Sequence, residues 1–169
     1  MKTSYSTRYA ASPQDVKSYD TTRIREEFLV DNLMESDKIN LVYSHYDRYI
    51  IGSAVPTESP LKLEAIDALK SENFLDRREL GIINVGETGT VTVDGTEYVL
   101  EHKEALYVGQ GNKNVEFSSN SSENPALFYI NSTPAHKAFP TKKIGRDDVE
   151  TVELGSPETA NARTLRKYI

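Results

Sequence analysis

The amino-acid sequence predicts a mainly β domain, a sandwich or jelly roll, with an N-terminal helix and a C-terminal extended arm. Three observations carry this expectation. From residue 41 onward the hydrophobic period is two; short strands recur at close spacing, punctuated by Gly and Asn; and Asp94-Gly95 sits between two strand-like runs. Composition leans the same way, with 10 Tyr, 5 Phe and no Trp. The 169 residues suffice for one core without a disulfide or a structural metal.

The elements follow in chain order. Residues 1–20 are polar and rich in Tyr and Ser, an N-terminal extension expected to be extended or mobile. Thr21 or Thr22 can cap a helix over 22–34, with Glu26 and Glu27 in its first turns and Ile24, Phe28, Leu29 and Leu33 as its apolar stripe. Leu41 to Arg48 then alternates as a strand, and Tyr49 to Val55 continues as a second until Pro56. The pattern of 57–73 is ambiguous, because Leu61, Ala65, Ile66 and Leu69 can form one short helix. Arg77 to Val85 reads as a strand whose adjacent Ile82 and Ile83 make both faces apolar, so one face needs cover from a second sheet or another subunit. Val91-Thr92-Val93 and Thr96 to Leu100 flank Asp94-Gly95 as a two-residue hairpin, with Val91, Val93, Tyr98 and Leu100 on one face. Further strands are expected at 105–108, 115–118 and 126–131.

Charge is uneven. The whole chain is −6, which argues against a nucleic-acid partner. Residues 1–136 carry 13 basic and 21 acidic side chains, and residues 137–169 carry 7 and 5. The change of sign near 137, with Pro134, Pro140, Gly145 and Pro157 around it, marks the start of an arm or linker. That arm ends on the strand-like Leu165-Arg166-Lys167-Tyr168-Ile169, so the chain reads as the front part of something longer. No run approaches the ~18 apolar residues of a membrane span. The first residues lack the apolar stretch of a signal peptide, and the absence of Cys excludes disulfides, thiolate zinc sites and Cys nucleophiles. A soluble cytoplasmic protein is expected.

Residues with chemistry to offer are few. His45, His102 and His136 lie at least 34 residues apart, and no His-x-His or His-Glu-x-x-His spacing occurs. Isolated histidines read as structural or surface residues. His136 lies next to Lys137 and near Lys142-Lys143, where it can help to bind an anion or simply sit in a solvated loop. Arg77-Arg78 can hold a carboxylate bidentately, or can pair with Glu79 or another neighbour. Strand alternation places Arg77 and Glu79 on one face and Arg78 on the other. Gly86-Glu87-Thr88-Gly89 is a turn and no phosphate loop, and no Gly-x-Ser-x-Gly elbow exists.

Arg77 to Gly111 resembles the layout of a cupin, a small jelly-roll β-barrel. Glu79, six residues and Gly86 match the end of the first cupin motif, but its two His positions fall on Asn73 and Leu75, or on Glu72 and Phe74. In the second motif Gly111 matches the middle Gly, while Lys103, Gly109 and Asn114 stand where Gly, Pro and His belong. The resemblance is thus to a cupin without its metal ligands. A fuller resemblance spans most of the chain. The strings EEFLVDNL (26–33), LVYSHYDRYIIGSAVP (41–56), FLDRRELGIINVGETGTVTVDG (74–95), EALYVGQG (104–111) and FYINSTPAHKAFPTKKI (128–144) are similar to the front half of the 4-deoxy-L-threo-5-hexosulose-uronate ketol-isomerase family.

That resemblance implies a bacterial, cytoplasmic, two-cupin enzyme of pectin degradation that assembles into hexamers. It implies one zinc per full-length subunit, held by a second cupin beyond this chain, with no metal ligand here. The division it implies is 1–20 as an N-terminal extension, 21–140 as the ligand-free cupin and 141–169 as the crossing toward the second. The family reaction moves a proton between two carbons of a uronate through an enediol. A cation must hold the substrate carboxylate, and from this half Arg77, Arg78, His136, Lys142 and Lys143 are the candidates. The rival expectation is a non-enzymatic sugar-binding or regulatory cupin complete at 169 residues.

Overall fold

A computed structural model describes residues 3–168. Among the described residues are thirteen strands and two short α-helices: β1 (Thr3–Arg8), α1 (Pro13–Val16), α2 (Thr21–Phe28), β2 (Ile39–Ser44), β3 (Ile50–Ala54), β4 (Leu61–Lys62), β5 (Arg78–Asn84), β6 (Gly89–Val93), β7 (Thr96–Leu100), β8 (Ala105–Val108), β9 (Val115–Ser119), β10 (Phe128–Pro134), β11 (Lys142–Ile144), β12 (Glu150–Leu154) and β13 (Arg163–Lys167). They form a seven-stranded sheet in the order β1-β2-β3-β10-β5-β8-β11, a four-stranded sheet β4-β9-β6-β7, and a separate ribbon β12-β13. One core lies between the two larger sheets. Leu41, Leu80, Ile82 and Ile130 enter it from the first, and Leu61, Val91, Leu100 and Phe117 from the second. Phe117 and Phe128, one from each sheet, meet with ring centroids 5.3 Å apart. This is the expected mainly β, jelly-roll architecture.

The predicted hairpin is present as read. Val93 pairs with Thr96 and Val91 with Tyr98. Asp94 and Gly95 both have positive φ, 45° and 86°, as a two-residue turn of the mirror-image type requires. The Asp94 carboxylate also accepts from the backbone amides of Lys113 and Asn114, fixing this turn to the start of β9.

Tertiary structure overrides the sequence pattern in four places. The N-terminal extension is built into the sheet, because β1 pairs in parallel with β2 from Thr3↔Ile39 to Arg8↔Ser44. The helix expected over 22–34 stops at Phe28, and its cap is the Asp20 carboxylate, which accepts from Arg23 N at 2.8 Å. The Leu33 carbonyl accepts from the Asn40 amide and the Ser53 hydroxyl, which holds the following segment extended. Within 57–73 the pattern becomes β4 and a single 3-10 turn, Asp67–Leu69, since Leu61, Leu63 and Ile66 all reach the core. The strand pair around residue 47 breaks at a turn in which Asp47 and Arg48 are both left-handed.

The apolar outer face of β5 has its cover. Ile83 packs against a second small cluster of Ala105, Ile144 and Val149, together with Tyr168. β11, which falls within the expected arm, is the far edge strand of the large sheet and pairs with β8. The rest of the arm is the β12-β13 ribbon, mostly exposed, returning so that the Tyr168 hydroxyl donates to the Lys103 carbonyl.

Candidate functional site

The five candidate cations are divided between two faces of the large sheet. Along β5, Arg78, Leu80, Ile82 and Asn84 point inward and Glu79, Gly81 and Ile83 outward, as their alternating burial shows. Arg77 precedes the strand and does not follow its alternation. Its guanidinium turns back to donate to the carbonyls of Leu69 (2.9 Å) and Lys70 (3.1 Å). Arg77 and Arg78 therefore share a pocket of about 270 Å³ at one end of the jelly roll, together with Arg48, Tyr43, Ser71 and Leu69.

Arg78 is the buried member, 5% exposed. Its Nε donates to the Ser132 hydroxyl at 3.1 Å, and Nη2 donates to the carbonyls of Ser132 at 2.8 Å and Arg48 at 2.6 Å. These bonds tie β5, β10 and the β2-β3 turn together. Burial, reinforced by the neighbouring Arg48 charge and opposed by Tyr43, pushes the guanidinium down to about 10. Sequence reasoning missed Arg48. It reaches this end only because a left-handed turn folds over the start of a strand 30 residues away.

On the outer face a cleft of about 710 Å³ is lined by Glu79, Tyr107, Phe139, Lys142, Ile144 and Tyr168, among others. The Tyr107 hydroxyl donates to Glu79 at 2.7 Å. Burial, and then this bond to a carboxylate, pushes the Tyr107 phenol up to about 12. Glu79, the residue that matched the first cupin motif, therefore faces away from the core between the sheets. Gly109 lets the cleft's far wall close in, because a Cβ there would stand 1.9 Å from the Phe139 carbonyl oxygen. Lys142 is exposed beside this cleft, while Lys143 is engaged with Glu104 at 2.6 Å. His136 is exposed and meets the Phe139 ring edge-on at 5.9 Å.

The other histidines have structural partners. His45 stacks on Tyr9 with centroids 4.7 Å apart and meets Tyr43 edge-on, and a His102 ring nitrogen bonds to the Gly86 carbonyl. Among the described residues no three of His, Asp and Glu are placed to share a metal ion. This donor set does not fit a zinc ion.

A family model described as the KduI/IolB family matches residues 28–169. The chain belongs to the KduI/IolB family. Among curated KduI/IolB-type relatives, a 4-deoxy-L-threo-5-hexosulose-uronate ketol-isomerase of Formosa agariphila is 64% identical over the whole chain and over 60% of its own length. Proteins of the same name from Lachnoclostridium phytofermentans and Bacteroides fragilis are 56% and 48% identical, over 96% and 100% of this chain and 59% and 60% of theirs. The chain thus spans about three-fifths of the length of these relatives. Among solved structures, an IolB-like protein from Salmonella typhimurium superposes with a TM-score of 0.53 at 11% identity, covering 72% of this chain and 43% of that one. At that identity the likeness speaks for the fold alone.

Proposed function

We propose that this chain is the N-terminal part of a zinc-dependent ketol-isomerase. The full-length protein would convert 5-dehydro-4-deoxy-D-glucuronate to 3-deoxy-D-glycero-2,5-hexodiulosonate in pectin degradation, as a cytoplasmic hexamer. The observation that carries the reading is 64% identity, along the entire chain, to a protein bearing that isomerase's name. In this reading residues 141–169 lead toward a second, C-terminal cupin. That cupin would hold one zinc per subunit, which would supply Lewis-acid chemistry there.

The work of this half is scaffold and subunit contact. The apolar side chains of α2 and the residue after it, Ile24, Phe28 and Leu29, support a contact role, since each keeps more than a third of its surface exposed. Of the five candidate cations for the substrate carboxylate, His136 and Lys142 are exposed and have no ion-pair partner among the described residues. Lys143 is occupied by Glu104, and Arg77 and Arg78 face the inner pocket.

The test uses the natural protein. An intact mass well above 19.0 kDa, stoichiometric zinc, and uronate turnover that a chelator abolishes and zinc restores are the expected results. A mass of 19.0 kDa with no turnover would instead favour a non-enzymatic sugar-binding or regulatory cupin.

A further inference from the structure

The inner pocket gathers positive charge without a counter-ion. Arg48, Arg77 and Arg78 line it together. None of the three is ion-paired with a carboxylate among the described residues. Asp76 does feel Arg77, but its carboxyl is held below its ordinary value first by hydrogen bonds from Asn73 and only last by attraction to Arg77. Lining residues beyond the arginines are Tyr43 and Ser71, which carry hydroxyls, and small or apolar side chains including Ala68 and Pro134.

Burying a guanidinium is costly, and proteins ordinarily place an acid against it. Here the buried Arg78 has only neutral acceptors: the Ser132 hydroxyl and two carbonyls. Its bonds run from Nε and Nη2; Nη1 has no protein acceptor among the described residues and is not among their buried unpartnered atoms, so it keeps access to the pocket's solvent. Stitching β5 to β10 accounts for Arg78's own bonds. It does not account for two further, exposed arginines at the same opening, Arg77 and Arg48, of which the Arg48 charge adds to the cost of burying Arg78. A bound anion removes both costs at once.

We propose that this pocket binds a small oxyanion, of the class of a sugar-acid carboxylate or inorganic phosphate, between Arg48, Arg77 and Arg78. Guanidinium forks suit both, because each offers parallel N–H donors to two oxygens of one group. The volume, about 270 Å³, suits an anion of monosaccharide size or smaller. The site lies at the open end of this jelly roll, with Arg78 buried and Arg48 and Arg77 exposed, and does not depend on the isomerase reading.

Sodium D-glucuronate, sodium phosphate and neutral D-glucose are the probes, titrated into the full-length protein by calorimetry at ionic strength held constant with sodium chloride. Thermal denaturation is followed in parallel, since a ligand of the native state raises the midpoint. To keep a metal-bound site elsewhere from contributing, titrations are repeated after chelation. The expected result is saturable binding of glucuronate or phosphate, and whichever binds tighter identifies the source of the oxyanion. Arg48→Gly is the informative variant, because Arg48 has φ 54° and glycine accepts that backbone without strain. It should fold as the parent does and weaken the anion at least tenfold, and adding Arg77→Ala should abolish binding. The proposal is overturned if neither anion binds above chloride, if D-glucose binds equally well, or if Arg48→Gly binds unchanged.

Discussion

Asn84 is wholly buried at the end of β5, and its amide uses every hydrogen-bonding position it has. Nδ2 donates to the carbonyls of Glu87 and Leu100, and Oδ1 accepts from the amides of Gly86 and Leu127. One side chain therefore joins the β5-β6 turn, β7 and the approach to β10. Asn84→Leu keeps the volume but strands four backbone groups, so a loss of about 2–4 kcal/mol is expected in urea denaturation. A loss under about 0.5 kcal/mol would show that water replaces the amide at no cost. In the sequence Asn84 reads only as the residue where an apolar strand ends, since its partners lie up to 43 residues away. Arg77 and Arg78 were legible as adjacent cations, but strand alternation put them on opposite faces, and only the turn-back of Arg77 to the Leu69 and Lys70 carbonyls brings both to one pocket. Arg48 was not legible, because nothing near it in the chain announces the fold-over that brings it alongside. The same limit explains Glu79: a motif match shows spacing, whereas which side of the sheet a side chain faces depends on where the strand begins.

Among the elements, the β6-β7 hairpin was fully legible because its turn chemistry is local: Asp94 and Gly95 supply the left-handed backbone wherever they occur. The end of α2 was not, because side chains from β2 and β3 decide it. β11 was also hidden, being three residues long with two lysines and one buried side chain, Ile144. Its hold on the sheet includes Lys143 with Glu104. Burial pulls the Glu104 carboxyl upward, but hydrogen bonds from Lys143 and the Glu101 amide, with attraction to Lys143, outweigh it and leave the group below its ordinary 4.5. A depressed carboxyl stabilises the fold above its unfolded value and loses that contribution as pH falls through the folded one. Amide exchange in β11 should therefore be slow near neutrality and accelerate as pH falls below about 4.5, after correction for intrinsic rates. Lys143→Met should flatten this dependence. An identical profile in that variant would assign the β11 docking to Ile144 and the backbone ladder alone.

At the scale of the whole molecule, two sheets and one core were predictable from period and spacing, and family membership from long strings that span most of the chain. How the termini attach was not. The first residues look like a polar tail, yet β1 lies along β2 as the outermost strand of the large sheet. β2 is the sequence Ile39-Asn40-Leu41-Val42-Tyr43-Ser44, uncharged along its whole length and largely apolar. β1 is Thr3-Ser4-Tyr5-Ser6-Thr7-Arg8, polar and ending in a cation. Laid over β2, it hides a stretch with the composition of a self-associating segment behind one that does not self-associate. Removing residues 1–9 should leave the core intact and turn a clear solution into one whose light scattering rises with time and concentration. Unchanged scattering would show that β2's free edge is harmless. The modest strand at the start of the chain is then a guard against aggregation, and a protease that nicks the segment between β1 and α2 would disarm it without touching the fold beneath.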